Sequence, residues 1–206
     1  NEHELAFYQM SRLADFLAAR ARETYPEPRM AGHTDLTARM AALVAPLLPP
    51  GAAVLDVGAG QGPALEWFTA HGFSPFGIST NQADVDACRE AGFDARLMDM
   101  HEMHFGESAV DCVWARHVLE HSVAPFFVLH EFARVLKPGG ILYVEVPAPD
   151  TACHHETNRN HYSVLPASCW ESLIQRAGFE IVEERTINLG TGAGPDTYFS
   201  FIAKKL

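Results

Sequence analysis

The chain has 206 residues, of which 48% are hydrophobic and 20% charged; this ordinary globular mix excludes a largely disordered protein. Its formal net charge is -11 and no Lys/Arg-rich block is present, so phosphate backbones and anionic lipid surfaces are poor partners. No apolar run approaches the roughly 20 residues of a membrane-spanning helix. We therefore expect a single domain, 1–206, that binds neither nucleic acid nor membranes.

Two helices are predicted before the first strand. Apolar residues at near-helical spacing indicate an amphipathic helix over 5–20, and a second helix should run from about 35 to 47. In related folds such a segment forms a lid that excludes water from the site, and by that resemblance we expect residues 1–34 to form a helical lid, with Tyr25 among the substrate contacts. A helix that merely covers the sheet would show the same pattern. The first residues lack a basic region followed by an apolar stretch, so no signal peptide is predicted.

From residue 52 onward, short apolar runs alternate with helical segments, which is typical of βα units and a parallel sheet. The predicted elements are strands over 52–57, 73–78, 93–97, 110–114, 140–146, 179–186 and 196–203, and helices over 62–71, 82–91, 124–136 and 166–177. Only the glycine-rich link 189–194 separates the last two strands, so they must be antiparallel neighbours. The predicted fold class is α/β, a doubly wound and mostly parallel sheet that ends in an antiparallel hairpin.

The strongest local signal is Val54–Gly62, VLDVGAGQG, in which a strand enters a glycine-rich turn and then a helix. Glycines there permit a sharp turn and the close approach of a ligand. Dinucleotide sites use a similar turn, but with G-x-G-x-x-G spacing and an acid at the end of the second strand, where this chain has Ser79. Both differences weigh against a dehydrogenase.

In this run the chain resembles the first motif of the class I S-adenosylmethionine-dependent methyltransferases. The resemblance continues, in the expected order, through Asp99-Met100, Ser108–Val113, Val118–His121 and Arg134–Gly140, and it covers roughly residues 35–206. It implies a seven-stranded Rossmann-like sheet with a terminal antiparallel hairpin. It also implies S-adenosylmethionine as the cofactor and methyl transfer as the activity.

The resemblance implies contacts to the methionine part and ribose of that cofactor. Gly58, Ala59 and Gly60 should border these groups, while Asp56 should support the turn and the cofactor's amino group. Arg116, just past the fourth strand, resembles part of the segment that flanks the methionine moiety. Ala115 belongs to the same segment and carries the same expectation.

The resemblance also assigns the adenine and, less directly, the ribose hydroxyls. Asp99 should accept a hydrogen bond from the adenine amine, with Met100 beside it. Most members hold the ribose with an acid at the end of the second strand, whereas this chain has Ser79 followed by Thr80. A hydroxyl can still bind ribose, although without the strength of a charge-assisted hydrogen bond. Together with Asn81, these residues also suit the cap of the following helix.

The sequence contains 11 histidines, and a methyl acceptor that must lose a proton requires a base. The polar segment 153–162 follows the fifth strand, at the edge where doubly wound folds bind ligands. We therefore consider His154, His155 or His161 as catalytic base or acceptor clamp, the alternative being a solvated loop. Adjacent histidines on an extended segment point in opposite directions, so no metal site is predicted.

Three further residues are candidate acceptor contacts. Arg159 could bind an anionic group, and His121 and Tyr162 could shape the acceptor pocket. His101 and His104 are expected on the surface of the loop after Asp99.

These features predict an enzyme that methylates a small molecule. The segment 114–117 reads WARH, so the Asn-Pro-Pro-Tyr type motif of amino methylation is absent and oxygen is favoured over nitrogen as the acceptor atom. The alternative is a catalytically inactive subunit that binds S-adenosylmethionine for a partner. Four widely spaced cysteines without a C-x-x-C pair indicate reduced thiols and a cytoplasmic location. The oligomeric state stays open.

Overall fold

The computed structural model describes residue 12, residues 14–22 and residues 31–206. Residues 14–21 lie in a helix, α1, and helix α2 follows at Ala31–Val44, extended by a 3-10 turn at Ala45–Leu47. Tyr25, which we expected at the substrate, lies outside the described residues. Within these ranges, none of the helices has both the length and the apolar character needed to cross a membrane.

Strands and helices alternate after α2, as the sequence predicts. The strands are β1 (Ala53–Val57), β2 (Ser74–Ser79), β3 (Ala95–Leu97), β4 (Val110–Arg116), β5 (Leu136–Pro147), β6 (Phe179–Thr191) and β7 (Gly194–Lys205). The later helices are α3 (Pro63–Ala70), α4 (Gln82–Glu90), α5 (Pro125–Val135) and α6 (Ala167–Arg176). The sheet order is β3-β2-β1-β4-β5-β7-β6, in which β1 to β5 are parallel and β7 is antiparallel to both neighbours. The predicted fold class is confirmed.

Several boundaries differ from the prediction, and two of these differences have a clear physical reason. Strand β5 begins at Leu136 rather than at 140, because Leu136 is buried and pairs with Val110 of β4. The glycine-rich link 189–194 is not a loop, since β6 and β7 stay paired until Thr191 faces Gly194. Backbone hydrogen bonds do not need side chains, so a glycine-rich segment can continue a ladder that its neighbours have begun.

The sheet buries both faces, which explains why its central strands are apolar with little alternation. On one face Leu55 and Val113 pack with Phe132 of α5 and Trp170 of α6. On the other face α2 and α3 cover a second cluster, whose largest members are Phe68, Trp114 and Tyr143. These two layers hold the carboxyl ends of the parallel strands in fixed positions.

Strand β1 has β2 on one side and β4 on the other. The chain adds β2 and β3 on one side of β1 and then crosses to add β4 and β5 on the other side, so the strand order reverses at this point. Doubly wound folds bind ligands in the crevice outside the carboxyl ends of the strands at such a reversal. The turn after β1 and the segments after β2 and β4 meet there, and they contain most of the residues that the sequence singles out.

Candidate functional site

The glycine turn after β1 is tied to the end of β2. The backbone amides of Gly58 and Ala59 both donate to the Ile78 carbonyl, at 2.9 and 3.0 Å. Gly58 has a φ of +72°, and a Cβ added there would lie 2.9 Å from Cγ2 of Val118. Gly60 also has a positive φ, +51°, but a Cβ there would meet no atom within 4 Å. The turn therefore leaves open space directly above its backbone.

That space belongs to the larger of two adjoining cavities, with a volume of about 220 Å³. The residues that the sequence assigns to the cofactor or acceptor and that line it are Gly58, Gly60, Ser79, Thr80, Asp99, Met100, His121 and Tyr162. Helix α1 contributes Leu17, Arg20 and Ala21 to the lining of the same cavity. The cavity is thus bounded by segments from the whole carboxyl edge of the sheet.

Asp99 is held in place by His101, two residues further along the chain. Its Oδ1 accepts from the backbone amide of His101 at 2.8 Å and contacts Nδ1 of the same residue at 2.6 Å. Burial would raise the pKa of Asp99, but the hydrogen bonds and charge from His101 outweigh it and lower that pKa. Nε2 of His101 also contacts Ser122 Oγ at 2.8 Å, and the side chain of His101 is buried. The expectation that His101 lies on the surface is wrong, whereas His104 is exposed.

A second acid, which the sequence reasoning missed, lies beside Ser79. Asp84, in the first turn of α4, is only 8% exposed and lines the larger cavity, and its Oδ2 accepts from Ser79 Oγ at 3.4 Å. Ser79 Oγ also accepts from the amide of Asn81, whose side chain caps α4 through the amide of Ala83 at 2.9 Å. The capping prediction is confirmed. Because the cap at Asn81 starts α4 next to the end of β2, Asp84, five residues after Ser79, lies beside that strand end.

The smaller cavity, of about 140 Å³, adjoins the larger one and shares Gly58, Gly60 and His117 with it. Asp56 and Arg116 line its floor, and Ala59 completes the glycine turn there. Burial raises the pKa of Asp56 to about 7, against the opposing effect of the Arg116 charge. An ammonium group placed nearby would favour the ionised form of this carboxyl group.

The buried carboxylate of Glu145, near the end of β5, organises the region between the cavities. Its Oε1 accepts from Arg116 Nε at 2.9 Å and from His117 Nε2 at 2.7 Å, and its Oε2 accepts from Tyr143 Oη at 2.5 Å. Burial would raise the pKa of Glu145, but these hydrogen bonds and charges together lower it to about 2. Glu145 is therefore a fixed anion at neutral pH.

His117 lies where the two cavities meet, and its chemistry is set by Glu145. Burial lowers the pKa of His117 in spite of the nearby carboxylate, so the ring is neutral at neutral pH. An ionised carboxylate can only accept, so the proton of the ring must be on Nε2, which leaves Nδ1 with a lone pair. The backbone is in the left-handed region, with φ of +54°, and the ring stacks on Tyr198 at 4.5 Å.

His117 is the first member of a row of four histidine rings and one tyrosine ring in contact with one another, which we call the imidazole row. Its successive centroid distances are 4.5, 5.5, 5.7 and 4.8 Å. In order, its members are His117, Tyr198, His155, His161 and His121. The row ends at His121, which again lines the larger cavity. Residues from three distant parts of the chain thus form a continuous set of ring contacts between two residues that line the larger cavity.

The segment 153–162 is only partly at the site. His155 is oriented by Asp196, whose two carboxylate oxygens lie 3.0 and 3.1 Å from Nε2, and His161 packs between His155 and His121. The His154 side chain is 69% exposed, because its left-handed backbone directs it to solvent, and Arg159 is exposed as well. Neither cavity is lined by His154, His155, Arg159 or His161, whereas Tyr162 of the same segment lines the larger one.

One expected cofactor contact lies elsewhere. Ala115 is fully buried in the apolar core, since side chains alternate along β4 and its own points to the face covered by α5. Its side chain lines neither cavity, in contrast to Arg116 directly after it. Any contact from Ala115 to a ligand would have to be made by its backbone.

Comparisons with known proteins identify the family of the chain. The sequence model of a family described as a methyltransferase domain matches residues 29–184. A 27-O-demethylrifamycin SV methyltransferase from Amycolatopsis mediterranei is 30% identical over 165 residues, which are 71% of this chain and 60% of that protein. A 2-methyl-6-phytyl-1,4-hydroquinone methyltransferase from Synechocystis is 29% identical over 135 residues, 63% of this chain and 39% of that protein. The chain thus spans 60% and 39% of the lengths of these two relatives.

Solved structures resemble the fold. A SAM-dependent methyltransferase from Archaeoglobus fulgidus superposes with a TM-score of 0.70 at 19% identity, covering 84% of this chain and 94% of that one. One from Methanosarcina mazei gives a TM-score of 0.69, also at 19% identity, over 80% of this chain and 97% of that one. At these identities the likeness concerns the architecture alone.

Proposed function

Because this chain belongs to the methyltransferase domain family, whose methyl donor is S-adenosylmethionine, we propose that it methylates an oxygen atom of a small molecule. The observation that carries the proposal is the neutral imidazole of His117, held by the buried Glu145 carboxylate where the two cavities meet. An imidazole with a free lone pair at that place can take the proton that a hydroxyl acceptor must lose.

The donor fits the residues around the glycine turn. When bound, S-adenosylmethionine supplies an electrophilic methyl group on a sulfonium. The open space above Gly60 gives room for it, and the anchored carboxylate of Asp99 can accept from an adenine amine. Asp84 with Ser79 can hold the ribose hydroxyls, so this pair takes over the role of the acid that the second strand lacks. Asp56 can attract the amino group from the smaller cavity.

On the acceptor side, the chain supplies alignment and a proton acceptor. Transfer is an in-line displacement, so most of the acceleration comes from holding the reactants in line, about 7–11 kcal/mol in well-oriented systems. Glu145 fixes the ring of His117, so that its basic nitrogen keeps one position during the reaction. Nitrogen acceptors with a free lone pair need no such base, which is why this pair favours oxygen.

Two further observations support a small molecule as the substrate. The net charge of -11 opposes the approach of nucleic acid. The relatives are named for 27-O-demethylrifamycin SV and for a hydroquinone, both small molecules, and the first name specifies an oxygen position. We also propose that Leu17, Arg20 and Ala21 act as part of a lid, since they border the larger cavity. A cytoplasmic location is consistent with four free cysteines.

The first test is calorimetry of the purified chain with S-adenosylmethionine and with its demethylated product. We expect micromolar affinity for both, and at least about tenfold weaker binding by Asp99→Ala, because a charge-assisted hydrogen bond is worth about 1.5–3 kcal/mol. The exposed His154→Ala serves as the matched control and should bind normally. No binding at millimolar concentration would contradict the proposal.

The second test is transfer of a labelled methyl group to a panel of phenols and alcohols, compared with primary and secondary amines. We expect label only in the hydroxyl compounds and a rate that rises as the acceptor or His117 loses its proton. Label in the amines alone would contradict the choice of oxygen. Tight donor binding without transfer to any compound would favour the inactive partner subunit instead.

A further inference from the structure

A cluster of metal-ligand side chains lies at the acceptor side of the larger cavity. Glu120, His121 and His161 each offer one ligand atom, and the three atoms lie within 4.8 Å of one another. Two ligands of a tetrahedral zinc ion, each about 2.0–2.1 Å from the metal, lie about 3.3 Å apart. Small side-chain rotations would therefore bring the three atoms to coordination distance.

The backbone around this cluster is already fixed. The amides of Tyr162 and Ser163 donate to the Glu120 carbonyl, at 2.7 and 3.0 Å, and join the two segments that carry the ligands. Nδ1 of His121 contacts the Asn160 carbonyl at 2.9 Å, and a carbonyl can only accept, so Nδ1 carries the proton. Nε2 of His121 is then the unprotonated nitrogen. Metal-bound histidines almost always donate their other N–H to a carbonyl or carboxylate in this way.

His161 adds an independent observation. Its Nδ1 is buried and has no hydrogen-bond partner among the residues that the structure describes. One of its nitrogens therefore lacks the partner that buried nitrogens normally have.

We propose that Glu120, His121 and His161 bind a divalent transition-metal ion, with zinc as the reference case, and that its remaining positions take an oxygen of the acceptor. Two imidazoles and one carboxylate match zinc and iron sites, whereas magnesium and calcium prefer oxygen ligands alone. His121, Asn160 and Tyr162 line the larger cavity, so the ion would lie at its wall. The acceptor role rests on the proposed function, but the metal site does not.

The nearest competitor is a second group on the same side, Cys153, His155 and Asp196. Two of its members already pair with each other, since both oxygens of Asp196 contact His155 Nε2, and Oδ1 also accepts from the Thr197 amide at 2.9 Å. None of the three lines either cavity of the site. This group therefore serves as the internal control.

The test uses the full chain, stripped of metal with a chelator and titrated with Zn²⁺ by calorimetry and with Co²⁺ by absorption spectroscopy. We expect one equivalent of each ion to bind. His161→Ala and Glu120→Gln should each weaken binding at least about 100-fold, beyond the 10–100-fold cost of losing an outer partner. Cys153→Ala should bind as the unchanged chain does. Circular dichroism checks that each variant is folded. If only one of the two ligand variants folds, its binding alone is enough to test the site.

Three results would overturn the site: no Zn²⁺ binding, unchanged binding in a folded ligand variant, or a thiolate-to-cobalt band that Cys153→Ala removes. The acceptor role has its own test, in which catechol is added to the Co²⁺-loaded chain as a bidentate oxygen ligand. A changed spectrum supports that role and an unchanged one contradicts it. Neither measurement needs the methyl donor, so a failure here leaves the proposed function intact, and loss of donor binding would leave the metal site intact.

Discussion

The two sides of the site differ in how the chain builds them. The donor side uses short local segments, each directly after a strand, and its acid Asp99 is held by His101, only two residues further along the chain. The acceptor side instead joins residues such as His117, Glu145 and Tyr198, which come from separate strands and loops. The donor side is therefore readable from motifs, while the acceptor side depends on long-range packing.

The difference has an energetic counterpart. On the proposed donor side the main chain of the turn would support the ligand, so we expect single side chains to contribute modestly. On the acceptor side a buried anion, Glu145, holds the side chains of Arg116, His117 and Tyr143 at once. Removing one member of such a buried network leaves the others without partners, which costs more than the loss of one exposed contact. Substitutions on the acceptor side should therefore have the larger effects.

The largest expected effect is on catalysis, from His117→Asn. Asparagine tolerates the left-handed backbone of this position, and its neutral amide cannot accept the acceptor's proton. We expect kcat to fall by about 10²–10⁴-fold, the usual contribution of a general base, with donor affinity nearly unchanged. Rapid kinetics and calorimetry measure the two quantities. A variant that keeps its rate would show that acceptor-side chemistry is not centred on this ring.

Glu145→Gln should come next, and it affects folding. Loss of the anion leaves Arg116 without its buried partner, and we expect the free energy of unfolding to fall by about 3 kcal/mol. Because the pKa of Glu145 is lowered from 4.5 to about 2, its contribution is complete above pH 4.5 and is lost as the pH falls towards 2. Urea titrations between pH 2 and 6 should show a weaker acid dependence in the variant. Equal acid dependence in both proteins would exclude this role.

Gly58→Ala tests whether the donor side really depends on its main chain. The added Cβ would combine a strained φ of +72° with the 2.9 Å approach to Val118, so we expect donor binding to weaken by about 30-fold, or about 2 kcal/mol. Gly51→Ala is the control, since its φ of +71° is equally strained but nothing lies within 4 Å. Similar donor binding in both variants would mean that the close packing of the turn is unimportant.

The smallest effect concerns pH and Asp56. Its pKa of about 7 in the free protein means that ionisation must precede or accompany the binding of an ammonium group, so donor affinity should fall about tenfold between pH 8 and pH 6. Asp56→Asn should bind more weakly at pH 8 and lose this dependence. Without donor, the sign is opposite: the folded chain holds this proton more tightly than the unfolded chain, so stability declines as the pH rises from 3.8 towards 7. Calorimetry at each pH measures the donor affinity, and urea titration at each pH measures the stability without donor.

Sequence reasoning was strongest where function follows from local backbone geometry. The run Val54–Gly62 predicted the turn, and Asp99 directly after β3 was assigned to the cavity it lines. It was weaker at Asp84, because its return to the strand end depends on the cap at Asn81 and on helical geometry. Among the histidines, the sequence favoured a clustered segment over His117 as the base, because the ring of His117 is oriented by Glu145, 28 residues further along the chain.

By itself, the sequence determined the α/β class, the order of the elements, the antiparallel hairpin and the glycine turn, because hydrophobic periodicity and glycine conformation act over short stretches. Tertiary structure alone decided which histidines meet, that His154 faces solvent while His155 reaches Asp196, and that Glu145 is a buried anion. Burial and ionisation depend on every atom that packs around a group. No spacing along the chain records that neighbourhood, so the acceptor side became readable only once the strands were in register.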